Sequence, residues 1–96
     1  LRIRTTFEAD DDISRLYASG FQSFGVAQAD SYLLGLRKLF ELLAGNPFIA
    51  RERIEFDPPV RVHPYGSHIV VYRVEGRALL VLRVLHGRRD WQREVG

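Results

Sequence analysis

Ninety-six residues with a formal charge of +2 suit one domain, residues 1–96, with a modest core and little room for a second. The hydrophobic fraction of 46% is ordinary for a globular chain, so disorder is not the expectation. The lack of cysteine excludes disulfides, thiolate metal sites and thiol catalysis and fits a reducing cytosol, and no apolar run approaches the roughly 20 residues of a membrane helix.

Leu1-Arg2-Ile3-Arg4-Thr5 alternates apolar and cationic side chains, the period-2 pattern of a half-buried strand. Thr5-Thr6-Phe7-Glu8 then has the form of a capping box, a hydroxyl residue followed three positions later by glutamate. Asp10, Asp11 and Asp12 fall where the positive end of a helix dipole favours carboxylates. Ile13, Leu16, Tyr17, Gly20, Phe21 and Phe24 recur at helical spacing as one apolar stripe. Gly25 breaks it. A second amphipathic helix runs from Val26 to about Ala44, with its apolar face centred on Leu36, Leu39, Phe40 and Leu43 and its stop at Gly45-Asn46-Pro47. So short a link predicts an antiparallel helical hairpin.

Phe48 to Pro59 lacks periodicity and reads as a surface connection. Val60–Tyr65, His68–Val74 and Ala78–His86 read as strands separated by the turns Gly66-Ser67 and Glu75-Gly76, hence an antiparallel meander. Gly87 ends the sheet, and Asp90 is placed to cap a final turn holding Trp91. The fold class is therefore α+β in the order β-α-α-β-β-β, a helical hairpin packed on an antiparallel-meander sheet.

With two-residue turns the register follows on paper. Tyr65 faces His68 and Arg61 faces Tyr72; Val74 faces Arg77, Tyr72 faces Leu79 and His68 faces Arg83. One face, with Val62, Ile69, Val71, Leu80, Leu82 and Val84, is almost wholly apolar and is expected to lie on the helices. The other mixes Arg61, Tyr72, Arg77, Leu79, Val81 and Arg83 with His63 and His68, and is expected to stay open for a partner. A one-residue slip in either turn exchanges the two.

Leu85-His86-Gly87-Arg88-Arg89-Asp90-Trp91 is the most distinctive segment. An aromatic beside paired arginines anchors an interface, stacks on a nucleobase, or merely covers a sheet edge while the arginines are solvated. His63, His68 and His86 are too few and too scattered for a zinc site, since the register sends His86 to the opposite face, so no metal and no cofactor are expected. The aspartate run cannot converge on one ion and is read as helix-start electrostatics. No phosphate-cradling loop or nucleophile elbow is present. Lys38 is the only lysine, so arginine carries the pI near 9.4, either through genomic codon bias or for bidentate contacts to carboxylate and phosphate. There is neither a secretory leader nor a methionine, which points to a cytoplasmic protein missing its initiator and one or more native N-terminal residues.

The element order, together with Tyr32-Leu33 to Leu43-Ala44-Gly45-Asn46-Pro47, resembles the RelE/ParE toxin superfamily. Val60 to Val74 is similar to that family's second and third strands, and Leu79 to Val84 followed by Leu85 to Trp91 is similar to the ending of its ParE branch. The resemblance implies the toxin half of a bacterial type II toxin–antitoxin module. A ParD-like antitoxin would wrap and neutralise it in a hetero-oligomer, contacting Arg61, Tyr72, Arg77, Leu79, Val81 and Arg83. The implied target is DNA gyrase, inhibited without enzymatic chemistry through His86, Arg88, Arg89 and Trp91, with no direct DNA binding by this chain and no membrane.

The runner-up is a ribosome-dependent messenger endoribonuclease of RelE type, with Arg83, His86 and Arg88 as its catalytic set. No tyrosine follows the arginine pair, as it does in those enzymes. A third reading is an inactive relative that only binds its antitoxin.

Overall fold

The computed structural model describes all residues 1–96. The chain runs β1 (Arg2–Thr5), α1 (Phe7–Phe24), α2 (Val26–Gly45), β2 (Glu52–Arg53), β3 (Val60–Tyr65), β4 (His68–Glu75), β5 (Ala78–His86) and α3 (Trp91–Val95). One five-stranded sheet has the order β1-β5-β4-β3-β2. The expected meander is present, and β1 joins it parallel to β5, pairing Ile3 with Leu79. The sheet is therefore mixed. The connection read as featureless contributes β2, which pairs Glu52 with Arg61 at the far edge.

Thr6, not Thr5, caps α1: its Oγ1 accepts the Ala9 N–H at 3.0 Å while its hydroxyl donates to the Leu82 carbonyl at 2.7 Å. One side chain thus starts the helix and ties that start to β5. Gly25 closes α1 through its N–H to the Phe21 carbonyl and opens α2 directly, giving the hairpin.

The first tight turn is as expected, with Tyr65 opposite His68. The second lies one residue later, at Gly76-Arg77, with Glu75 opposite Ala78. Both turns carry glycine at the first central position, with φ of 54° at Gly66 and 58° at Gly76, which is the position a II′ hairpin reserves for glycine. The expected Glu75-Gly76 turn would have forced that backbone on glutamate. The parity of the pairing survives the shift, and Tyr72 meets Val81 in place of Leu79.

Further along, the parity breaks. Tyr72 pairs with Val81 and Val71 with Arg83, so Leu82 is an extra residue without a partner, a β-bulge. Beyond it Val84 pairs with Val70 and His86 with His68, in place of the expected Arg83 opposite His68.

Up to the bulge the two faces are the reverse of the expectation, whereas Val84 beyond it lies toward the helices as expected. Val70, Tyr72, Leu79, Val81 and Val84 form the main core with Ala9 of α1 and Leu36, Leu39, Phe40 and Leu43 of α2. Val60, Val71 and Leu85 face the other way, into a second core with Phe56 and Trp91, flanked by Val62, Ile69, Leu82 and Val95. Both faces are apolar because both are covered, one by the hairpin and one by the Phe56 connection and α3. The mixed face tolerates its polar atoms under the helices because they find carbonyls. The Tyr72 hydroxyl donates to Pro47 at 2.8 Å and the Tyr65 hydroxyl to Tyr32 at 2.6 Å, and no buried side-chain nitrogen or oxygen lacks a partner.

Candidate functional site

Two groups of residues named from the sequence are withdrawn into the interior. Tyr72, Leu79 and Val81 are 0% exposed beneath the helices, so they offer no surface to an antitoxin. Trp91 is 7% exposed, stacks on Phe56 with ring centroids 6.0 Å apart and carries Arg53 over its ring at 5.6 Å. It is the centre of the second core and no contact for a target. The structural alternative weighed for it from the sequence placed it on the sheet edge, whereas it covers the sheet's second face.

The arginines are sorted by their partners. Arg83 grips Asp12 in a two-pronged ion pair, Nε to Oδ2 at 2.7 Å and Nη2 to Oδ1 at 2.9 Å, and Asp12 also accepts the Val84 N–H at 3.0 Å. The buried carboxylate holds the guanidinium still more firmly in its charged form, and Glu94 of α3 adds a weaker contact at 3.9 Å. Arg83 therefore fastens α1 to β5 and belongs to the scaffold. Arg61 donates to the Ala50 carbonyl at 2.7 Å and lies over Phe48, holding the β2 edge. Arg89 pairs with Glu94, while the exposed Arg77 and Arg88 make no ion pair. Of the runner-up's catalytic set, only His86 and Arg88 lie together, the Arg88 N–H donating to His86 Nδ1 at 3.2 Å.

Asp12 is the residue that sequence reasoning misassigned: it is the one buried charge of the chain, not a dipole partner at the helix start. Nothing in its local spacing marks it, because its partner lies 71 positions away. The bulge also corrects His86. It stands on the same face as His68, the two rings edge to face at 5.3 Å. His63 turns away, its Nδ1 2.7 Å from the Pro64 carbonyl, and no group of three metal-ligating side chains forms.

What the fold does assemble is a polar corner toward the Gly25 end of the hairpin. Tyr32 and Tyr65 clasp each other: the Tyr65 hydroxyl reaches the Tyr32 carbonyl, the Tyr32 hydroxyl lies 3.1 Å from the Tyr65 carbonyl, and the rings pack at 4.8 Å. The Tyr32 hydroxyl also lies 2.7 Å from His68 Nδ1. A side chain at Gly66 would enter this space, its Cβ falling 2.6 Å from the Tyr32 hydroxyl. Beside the clasp opens a groove of about 440 Å³ between α1, α2 and the β4–β5 end, floored by His68 and His86 and walled by Leu16, Gly20, Phe24 and Ala29.

Burial, and then the neighbouring His86, lower the His68 pKa below its ordinary 6.5. The unfolded chain therefore takes up this proton first as the pH falls. The stability His68 contributes is complete above pH 6.5 and is progressively lost below it. The urea midpoint is expected to be lower at about pH 5.5 than at about pH 7.5, and His68→Phe is expected to flatten that dependence.

The family described as "ParE toxin of type II toxin-antitoxin system, parDE" matches this chain over residues 3–91. Toxin ParE1 of Mycobacterium tuberculosis is 35% identical over 88 residues, 91% of this chain and 90% of that protein. Toxin ParE3 of Caulobacter vibrioides is 26% identical over 95 residues, 99% of this chain and 95% of that protein. Among solved structures, a chain described as "Chromosomal ParDE TA system from P. aeruginosa" superposes with a TM-score of 0.75 at 19% identity, covering 90% of this chain and 95% of that one, a likeness of fold. The sheet order, the hairpin and a family match spanning both cores agree: this chain belongs to the ParE toxin family of type II toxin–antitoxin systems.

Proposed function

We propose that this chain is a toxin that works by gripping other proteins, inhibiting DNA gyrase in the cytoplasm and held inactive by a ParD-like antitoxin in a hetero-oligomer. The observation that carries the reading is unpartnered apolar surface on a family member of this size. Phe7 is 81% exposed, Ile54 79%, Phe48 70% and Phe24 66%, in a fold whose sheet faces are already covered. Large apolar side chains left in water on this scale mark surfaces that another protein covers. An antitoxin therefore has to use the outside of the hairpin and the sheet edges, not the sheet face inferred from the sequence.

Charge supports the same partner. Arg2, Arg4 and Arg77 are exposed and make no ion pair, and Arg2 and Arg77 are adjacent, the Arg2 N–H donating to the Arg77 carbonyl at 2.9 Å. An acidic antitoxin tail gains specificity and association rate from such a patch. For the target, His86 and Arg88 remain as accessible groups at the end of β5. Arg89 joins them at the rim with its charge shared by Glu94.

Supercoiling by purified gyrase, assayed with the antitoxin-free protein, is the direct test. Inhibition near stoichiometric ratios is expected, with Arg88→Glu weakening it about tenfold or more, as for a contact worth about 1.4 kcal/mol or more. Undisturbed supercoiling at excess protein would overturn the reading. Messenger cleavage in a translating extract would replace it with the ribonuclease alternative.

A further inference from the structure

We infer that the groove floored by His68 and His86 is a binding site for a nucleobase, with adenine the base it fits best. The inference stands apart from the gyrase reading and shares with its surfaces only Phe24, Arg88 and the edge of His86.

The argument begins with protons. The Tyr32 hydroxyl has one proton and two neighbours, the Tyr65 carbonyl at 3.1 Å and His68 Nδ1 at 2.7 Å. A carbonyl only accepts. Both contacts are hydrogen bonds only if Tyr32 donates to Tyr65 and His68 Nδ1–H donates to Tyr32, which leaves Nε2 of neutral His68 as a bare acceptor. His86 is the opposite case. Its Nδ1 accepts the Arg88 N–H at 3.2 Å, so the proton of the neutral ring sits on Nε2.

Neither Nε2 has a hydrogen-bond partner within the chain. Since no buried side-chain nitrogen or oxygen lacks one, both reach open space, and both rings line the groove. An acceptor and a donor thus line one groove, on rings whose centroids are 5.3 Å apart and whose planes are inclined at 69°.

The rest of the groove selects the ligand. None of its lining residues is charged: Leu16, Gly20, Phe24 and Ala29 form apolar walls, with Tyr17 and Tyr32 as aromatic ones. The groove offers a metal ion too few ligands, since His68 and His86 are its only ligating side chains and no group of three forms. The ligand that suits apolar and aromatic walls with an acceptor, a donor and the uncharged polar Ser19, Gln28 and Ser67 is a neutral heteroaromatic ring with a complementary edge. Adenine presents the N6 amino donor beside the N7 acceptor, whereas the corresponding edge of guanine presents two acceptors. Arg88, exposed and without an ion pair two residues beyond His86, supplies a free cation for a phosphate outside the groove.

The test is an NMR titration of the antitoxin-free protein, read at the ring nitrogens and carbon-bound protons of His68 and His86. Before any ligand is added, the nitrogen shifts are expected to report Nδ1–H at His68 and Nε2–H at His86. The reverse pattern at either ring removes the acceptor–donor pair and overturns the inference. Adenosine 5′-monophosphate is then expected to perturb both rings saturably with a Kd of about 1 mM or tighter, and His68→Phe to weaken it about tenfold or more. Uridine 5′-monophosphate is expected to bind more weakly. A short oligoadenylate arm distinguishes a base presented by a strand, which would bind more tightly than the mononucleotide, from a free nucleotide, which would not. No saturation up to about 10 mM adenosine monophosphate, or equal binding of indole, would show an ordinary apolar groove and overturn the inference.

Discussion

Asp12→Ala is expected to destabilise the fold by about 3–5 kcal/mol, the cost of removing one partner of a buried ion pair and stranding the other. Three contacts end on this carboxylate: two prongs of Arg83 and the Val84 N–H. The Asp12 side chain is 8% exposed and that of Arg83 22%, so the guanidinium recovers only part of its hydration when its partner goes. The Val84 N–H recovers less, because Val84 lies in the main core at 3% exposure. Against a total stability of about 5–15 kcal/mol for a domain, the variant approaches the limit of folding. Urea unfolding is expected to show a lowered midpoint with an unchanged slope. Asp12→Ala/Arg83→Ala is expected to cost clearly less than the sum of the single changes, since the double variant leaves no unpaired charge. Additive costs would mean that the ion pair is not the cause.

Gly35→Ala is expected to be the second most damaging small change, although it places the best helix former inside a helix. A Cβ at position 35 would overlap the Tyr65 hydroxyl, which is held there by its bond to the Tyr32 carbonyl. Relieving that overlap costs about 1–3 kcal/mol, and the lost clasp costs about 1 more. The gain in helix propensity returns about 1 kcal/mol. The net expectation is a loss of about 1–3 kcal/mol on those figures, measured by thermal or urea unfolding. Adding Tyr65→Phe to the alanine variant removes the overlapping atom, and the double variant is expected to be more stable than Gly35→Ala alone. A stabilised Gly35→Ala single variant would contradict the close approach.

These residues also show what could be read in advance. The hairpin, its break at Gly25, four of the five strands and the first turn are local matters, decided by periodicity and glycine placement within a few residues. They are legible. The turn at Gly76-Arg77 was within reach too, since Gly66-Ser67 offers the same glycine-first pattern.

The orientation of the sheet was not. Choosing the more uniformly apolar face for the helices assumes one covered face, and here the loop around Phe56 and the helix holding Trp91 cover the second. Tyr72 looks amphipathic in sequence and is wholly interior because Pro47 supplies an acceptor for its hydroxyl. The site suffered in the same way. Asp12 acquires meaning only through Arg83, and His68 only through Tyr32 and His86, pairings across 71, 36 and 18 positions that no short window contains.

Leu82, the unpartnered residue of β5, makes the length of that strand matter more than its composition. Exchanging it for another aliphatic preserves a counting rule; deleting it does not. With one residue fewer the strand would still zip onto β4 and still look greasy, yet every side chain downstream would rotate by half a turn. Arg83 would leave Asp12, and His86 would swing to the side of Trp91. The end of β5 that carries His86 and Arg88 is thus aimed by a single supernumerary amino acid, whose identity can change more cheaply than its presence.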